Sequence, residues 1–238
     1  MDPYVLSYIL LLFAMIFSLY AQIKVNTTFS KFSKRSNRRG LTGAQVARMI
    51  LDSKGLYSVT VEHVHGNLSD HYDPRSNTVR LSDSVYGSTS VAALGVAAHE
   101  CGHAIQHAEQ YTPVVIRSSI VKLTSICSYL SFILIFVGII IDAMSAMAGS
   151  LGYLFQLAGI VAFAVVTFFQ LVTLPTEFNA SKRALVILRG DGILAKEEIS
   201  GAKSVLTAAA LTYLAALAVS LLQLLRLILI VTGGNRRR

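Results

Sequence analysis

Ser90-Val91-Ala92-Ala93-Leu94-Gly95-Val96-Ala97-Ala98-His99-Glu100-Cys101-Gly102-His103 is a run of small and apolar residues that ends in two histidines and a glutamate. The run predicts a helix that is apolar on most sides and packed inside a domain. On a helix, positions i and i+4 are offset by about 40° around the axis, so His99 and His103 can reach one point from one face. Zn²⁺ accepts imidazole nitrogen without demanding a particular d-electron geometry. Two histidines therefore supply half of a tetrahedral shell and leave a place for water. Glu100, beside the first ring, would take a proton from that water. The alternative is a pair of satisfied histidines on a half-buried helix. Burying two imidazoles and a carboxylate there is costly unless a metal or hydrogen bonds satisfy them. Cys101, two residues after His99, points about 200° away around the helix and reads as a small packing residue, not a ligand.

Working outward, the 238 residues are 53% hydrophobic and only 14% charged, against about 25% charged in an ordinary soluble domain. Part of the chain must sit in lipid. Four apolar segments, Tyr4 to Ala21, Ser125 to Ile141, Leu151 to Leu174 and Val205 to Val231, are near the length that a roughly 30 Å hydrocarbon layer demands of a helix. The first lacks a basic n-region, since Met1-Asp2-Pro3 precedes it, and reads as a signal anchor with its N-terminus outside. Lys24, Lys31, Lys34, Arg35, Arg38 and Arg39 follow it at once. The positive-inside rule places such a cluster, and the histidine segment after it, in the cytoplasm. Spans two and three form a hairpin joined by the chargeless loop Ala143 to Ser150. A second basic segment with Lys182, Arg183, Arg189, Lys196 and Lys203 then returns inside. Arg236, Arg237 and Arg238 oppose a fourth full crossing, so residues 205–231 either cross or form a re-entrant or interfacial hairpin, with Arg226 free to snorkel.

The resulting division is an N-terminal anchor (1–23), a cytoplasmic catalytic segment (24–122), a transmembrane hairpin (123–174), a cytoplasmic helical segment (175–204) and a C-terminal segment with a basic tail (205–238). The net charge of +8 flanks membrane segments without interleaved aromatics. Anionic lipid is the expected neighbour, and nucleic acid is not. Cys101 and Cys127, the only cysteines, form no disulfide in a reducing compartment.

Within the soluble part, Thr42 and Gln45 have capping-box spacing. Val46, Met49 and Ile50 then share a face, and Gly55 stops the helix. Ser58 to Val64 and Thr78 to Ser82 alternate as strands around the turn chemistry of Asp73-Pro74-Arg75-Ser76-Asn77. Val79 to Ser82 is the expected edge for strand addition by an extended peptide. Asp70, His71, Tyr72 and Asp73 form a polar cluster, any of which could orient a ligand or an oxyanion. His63, His65 and His107 read as surface or structural histidines.

A catalytic zinc needs a third protein donor and an open position. Among the downstream acids, Glu177 follows Pro175-Thr176 directly where the third span ends, and Thr176 can cap a new helix carrying it. Two crossings separate it from His103, so the carboxylate returns to the side that the chain left. Its other reading is an acid favoured by a helix dipole.

The segments Asp70 to Ser76, Ala98 to Gln106 and Leu174 to Ser181 resemble the YugP-type neutral zinc metallopeptidases, a group of bacterial integral membrane proteins. The chain is similar, more distantly, to the HtpX-like membrane peptidases, whose Glu-x-x-Ala-Asp pattern reads Glu177-Phe178-Asn179-Ala180-Ser181 here. The resemblance implies His99, His103 and Glu177 as zinc ligands and Glu100 as the base. The expectation is thus an α+β, mostly helical, multi-span protein of the bacterial cell membrane with a small gluzincin-like core: a helix, a small sheet, the His-Glu-x-x-His helix and a Glu-bearing helix at the cytoplasmic face. Its expected activity is that of a zinc-dependent metalloendopeptidase acting on peptides or membrane-protein segments near that surface. The rival is a non-catalytic adaptor or scaffold stapled by zinc, closed by a fourth ligand such as His71 or Asp73. Transport is disfavoured, because Asp142 stands alone near a span end. Gly138, Gly152 and Gly159 would permit close helix contact within or between chains, and any oligomer or membrane partner is left open.

Overall fold

In a computed structural model, which describes residues 3–144 and 149–235, the chain is mostly helical, with a three-stranded sheet and four helices long and apolar enough to cross a membrane. Met1, Asp2, the middle of the Ala143 to Ser150 loop and the tail Arg236 to Arg238 lie outside the described residues. In chain order the elements are α1 (Pro3–Ser33), α2 (Gly43–Ser53), β1 (Thr60–Val64), β2 (His71–Asp73), β3 (Thr78–Ser82), α3 (Val91–Ala108), α4 (Thr112–Met144), α5 (Gly149–Gly190) and α6 (Lys196–Asn235).

Local chemistry sets the ends of the short elements. Thr42 and Gln45 make both halves of the capping box that opens α2, and each half satisfies a donor that the first turn leaves unpaired. The Ser90 hydroxyl accepts the Ala93 N–H at 3.1 Å and opens α3. The sheet has the order β1-β3-β2, with β1 parallel and β2 antiparallel to β3. Val79 to Ser82 is therefore the central strand, not the expected edge. The polar run after Asp70 supplies an additional strand, β2, whose pairing uses up one side of β3. Both rows of β3 backbone groups are occupied, so the strand cannot receive a peptide.

The chain divides into two compact units, with boundaries inside four of the helices: residues 21–115 with 175–212, and residues 1–20 with 116–174 and 213–238. The core of the first joins Val46, Ile50 and Leu51 of α2, Val79 and Leu81 of β3, Leu94, Ala97 and Cys101 of α3, and Leu188, Ile193 and Leu206 from the C-terminal part of the unit. In the second unit, α4 meets α5 at small residues. A methyl on Gly159 would lie 2.6 Å from the Ser131 carbonyl oxygen, and one on Gly138 would lie 2.6 Å from that of Gly152. These glycines permit close contact within the chain. Asp142, read from sequence as standing alone, accepts the Gln156 amide N–H at 2.8 Å, and Arg226 lies over the Tyr8 ring, 4.3 Å from its centroid. The outward faces of these helices carry many exposed large apolar side chains, Phe13, Leu19, Ile126, Phe136 and Leu154 among them, a surface suited to lipid rather than to water. α6 runs unbroken through Lys196–Asn235, so no re-entrant hairpin interrupts it.

Candidate metal centre

α3 and α5 bring three donor atoms to one point. His99 Nε2 lies 3.2 Å and His103 Nε2 3.5 Å from the same oxygen, Oε2 of Glu177, and the two imidazole rings stand edge to face with centroids 4.7 Å apart. Zinc bonds of 2.0–2.2 Å at tetrahedral angles separate neighbouring donors by about 3.3 Å. The two distances to Glu177 match that separation, and all three donor atoms lie within 4.8 Å of one another. His99, His103 and Glu177 are one of two groups of potential metal donors among the described residues, and Glu177 is only 3% exposed.

The network around the rings decides which nitrogen faces Glu177. Gln106 is fully buried, and its amide nitrogen donates to the Thr176 carbonyl at 2.8 Å and to Asn179 Oδ1 at 2.9 Å. Both amide protons are thereby used, and Oε1 is left to accept from His103 Nδ1 at 3.0 Å. A proton on Nδ1 leaves Nε2 as a lone pair directed toward a carboxylate. With the ring neutral, two acceptors face each other in a buried place, an arrangement that a cation between them would satisfy. His99 is held similarly, with Nδ1 3.1 Å from the Ser181 hydroxyl. Ser181 stands where the HtpX-like pattern has aspartate, and its hydroxyl makes the contact to the ring.

Gly102 lies between the two histidines on the side of α3 that meets α5, where a methyl would be 2.8 Å from the Ala180 carbonyl oxygen and 3.2 Å from its Cα. The absence of a side chain lets the Glu177 turn approach the rings. In an ordinary helix, Gly→Ala gains about 1 kcal/mol. Here the neighbour is backbone that cannot swing aside, so Gly102→Ala is expected to lower the melting temperature, and Gly102→Val to lower it further and weaken zinc binding, as read by thermal unfolding with and without zinc. One turn on, Arg183 donates to Asn179 Oδ1 at 2.6 Å and pairs with Glu109 at 2.7 Å, so a second polar clasp holds α5 against the end of α3. The Arg183 hydrogen bond and charge hold the Glu109 carboxyl below its ordinary range.

Glu100 is 7% exposed and lies on the same helix, outside the three-donor group. Cys101 is fully buried toward α2, 3.5 Å from the Ala47 carbonyl oxygen, and burial, with the nearby Glu100 charge, pushes its thiol well above the usual range. Its sulfur faces α2 and is not among the three grouped donors. Glu177 does not begin a new helix capped by Thr176, because α5 continues through Pro175. Proline removes one backbone donor and crowds the carbonyl four residues before it, yet the helix is continuous across it. The carboxylate therefore sits in mid-helix, where a helix dipole gives no reason for it.

The upstream polar cluster belongs to the scaffold. Asp70 accepts the Ser82 N–H at 2.7 Å and its hydroxyl at 2.9 Å, while burial, the larger influence, keeps its pKa raised. Asp73 pairs with Arg80 at 3.0 Å and accepts from Arg75 and Ser76. His71 faces the Ser69 carbonyl at 2.9 Å. Neither His71 nor Asp73 joins the three donors. The sequence marks Ser181 only as a departure from the aspartate of the HtpX-like pattern, and it assigns neither Ser181 nor Gln106 a contact to a ring. Gln106 carried a signal, since it lies three residues past His103 on the same helical face. The contacts of Ser181 depend on where α5 lies.

The family profile described as "putative neutral zinc metallopeptidase" matches residues 7–232. The chain is 44% identical over 218 residues to a protein of Bacillus subtilis (strain 168) named "Putative membrane protease YugP", an alignment that covers 92% of this chain and 93% of that one. No solved structure gives a significant match. On the strength of the matches to family and relative, the chain belongs to the neutral zinc metallopeptidase family.

Proposed function

We propose that this protein is a zinc-dependent membrane endopeptidase that hydrolyses peptide bonds at the cytoplasmic surface. The observation that carries the reading is the convergence of His99 Nε2, His103 Nε2 and Glu177 Oε2 within 3.2 and 3.5 Å. Three protein donors leave a tetrahedral ion one open corner, the arrangement of catalytic rather than structural sites. Zinc held there would bring the pKa of a coordinated water toward about 7 and polarise a peptide carbonyl.

The chain's own residues do the rest. Glu100, adjacent to His99, accepts the proton of the attacking water and passes it to the leaving amine as the C–N bond breaks. Gln106 and Ser181 fix the two ring orientations, so the ligand nitrogens need no reorganisation. The cytoplasmic assignment rests on the basic clusters that follow the first and third spans. No fourth protein donor lies with the three among the described residues, which favours hydrolysis over the stapled scaffold.

The test is cleavage of an unfolded polypeptide by the full chain in detergent micelles. Cleavage should stop on chelation and return with one equivalent of zinc. Cleavage that persists in the metal-free protein would overturn the reading.

A further inference from the structure

The second donor group lies at the ends of β1 and β3 and shares no residue with the first. His63 Nε2 is 2.6 Å and His65 Nδ1 3.7 Å from the same oxygen of Asp83. We propose that His63, His65 and Asp83 form a separate, solvent-facing site for a divalent cation that favours imidazole and carboxylate together, as zinc, nickel and copper do.

Sheet geometry places the donors. The parallel register pairs His63 with Leu81 and Val64 with Ser82, so the next residues along, His65 and Asp83, arrive side by side just past the strand ends. His63 and His65 are alternate residues and point to one side of β1. The turn that follows locks the carboxylate: the Gly66 N–H donates to Asp83 Oδ2 at 2.8 Å, and the Asp83 N–H donates to the Gly66 carbonyl at 3.1 Å. Gly66 holds φ at +120°, a conformation open to glycine, so the lock is a property of this residue. One carboxylate oxygen is thereby fixed by backbone, and the other faces both rings.

His63 is braced on two sides, by the His65 ring at 5.3 Å and the Tyr86 ring at 5.4 Å. The His65 side chain is 96% exposed, so an ion reaches the group without desolvating a buried charge, and water can complete its shell. As a plain surface contact, the His63–Asp83 pair would contribute little, about 0–1 kcal/mol, and would give His65 no reason to be there. All three donor atoms lie within 4.8 Å of one another. Binding needs only a small opening of the His63–Asp83 hydrogen bond to admit the ion.

The experiment is equilibrium dialysis of the full chain in detergent against zinc chloride, with metal counted per protein. Wild type should hold about two equivalents. H63A/H65A should lose one of them, keep its melting temperature without metal and retain peptide hydrolysis. An equal metal content in wild type and H63A/H65A would overturn the proposal. Because these side chains are exposed, the variant is expected to fold, and nickel chloride titrated into wild type loaded with a single equivalent of zinc offers an independent reading, in which one equivalent of nickel should bind without displacing the zinc needed for cleavage. H99A/H103A separates the two ideas. If that variant keeps one equivalent, the peripheral site stands whatever becomes of the hydrolytic reading, and if it keeps none while wild type holds one, the peripheral site is refuted.

Discussion

Glu100→Gln is expected to keep its zinc and lose peptide hydrolysis by about 10²–10⁴-fold, the range over which positioned proton transfer contributes. The amide preserves the volume and polarity of a side chain that is only 7% exposed, so α3 should remain intact. It removes the carboxylate, next to His99 in the chain, to which the proposed mechanism gives the proton of the attacking water. Zinc content and melting temperature should match wild type, because Glu100 is not among the three donors. A variant with full metal and full turnover would assign proton transfer to another residue. One that loses both metal and activity would make Glu100 a structural residue.

Glu177→Ala should have the opposite signature, with activity and zinc lost together. One of three protein donors disappears, and the carboxylate that balances the ion's charge in a buried place goes with it. The histidines stay on α3 with Gln106 still oriented by Thr176 and Asn179, so the fold itself should survive. Under competition with a strong chelator, wild type should retain the zinc held by His99, His103 and Glu177 and the variant should release it. Addition of zinc should raise the melting temperature of wild type far more than that of the variant, because a ligand stabilises only in proportion to its affinity for the native state. Equal zinc retention in the two proteins would show that the acid serves packing alone. Measuring both in an H63A/H65A background removes any contribution from the peripheral histidines.

The contrast between the two donor groups explains what was legible in the sequence. His99 and His103 could be read as a pair because a helix fixes their relation at short range, and Glu177 could be singled out because it follows the third apolar segment at once. The helices, their caps and the apolar spans follow from local patterns as well. What the sequence hid depends on pairing across distance. The three residues of β2 are too few to show alternation, and without them β3 reads as an edge instead of the centre of a sheet. The same parallel pairing brings His65 beside Asp83, residues that no local spacing connects. Pro175 misled for a local reason, since it reads as a helix start, yet a long helix packed through Ala180 and Glu177 against α3 continues past one missing N–H.

Ring orientation was equally invisible. Gln106 fixes the proton on His103 only because α5 supplies the Thr176 carbonyl and Asn179 as its acceptors. Close approach at Gly102 is what brings those acceptors within reach. The site is therefore a product of the α3–α5 contact as much as of the His-Glu-x-x-His spacing.

An anomalous difference map recorded at the zinc absorption edge from crystals of the zinc-loaded protein tests the central claim most directly. The account predicts a peak about 2.0–2.2 Å from His99 Nε2, His103 Nε2 and a Glu177 oxygen, with a non-protein atom at the fourth corner. A peak absent from that point, or one closed by a fourth side chain, would contradict it.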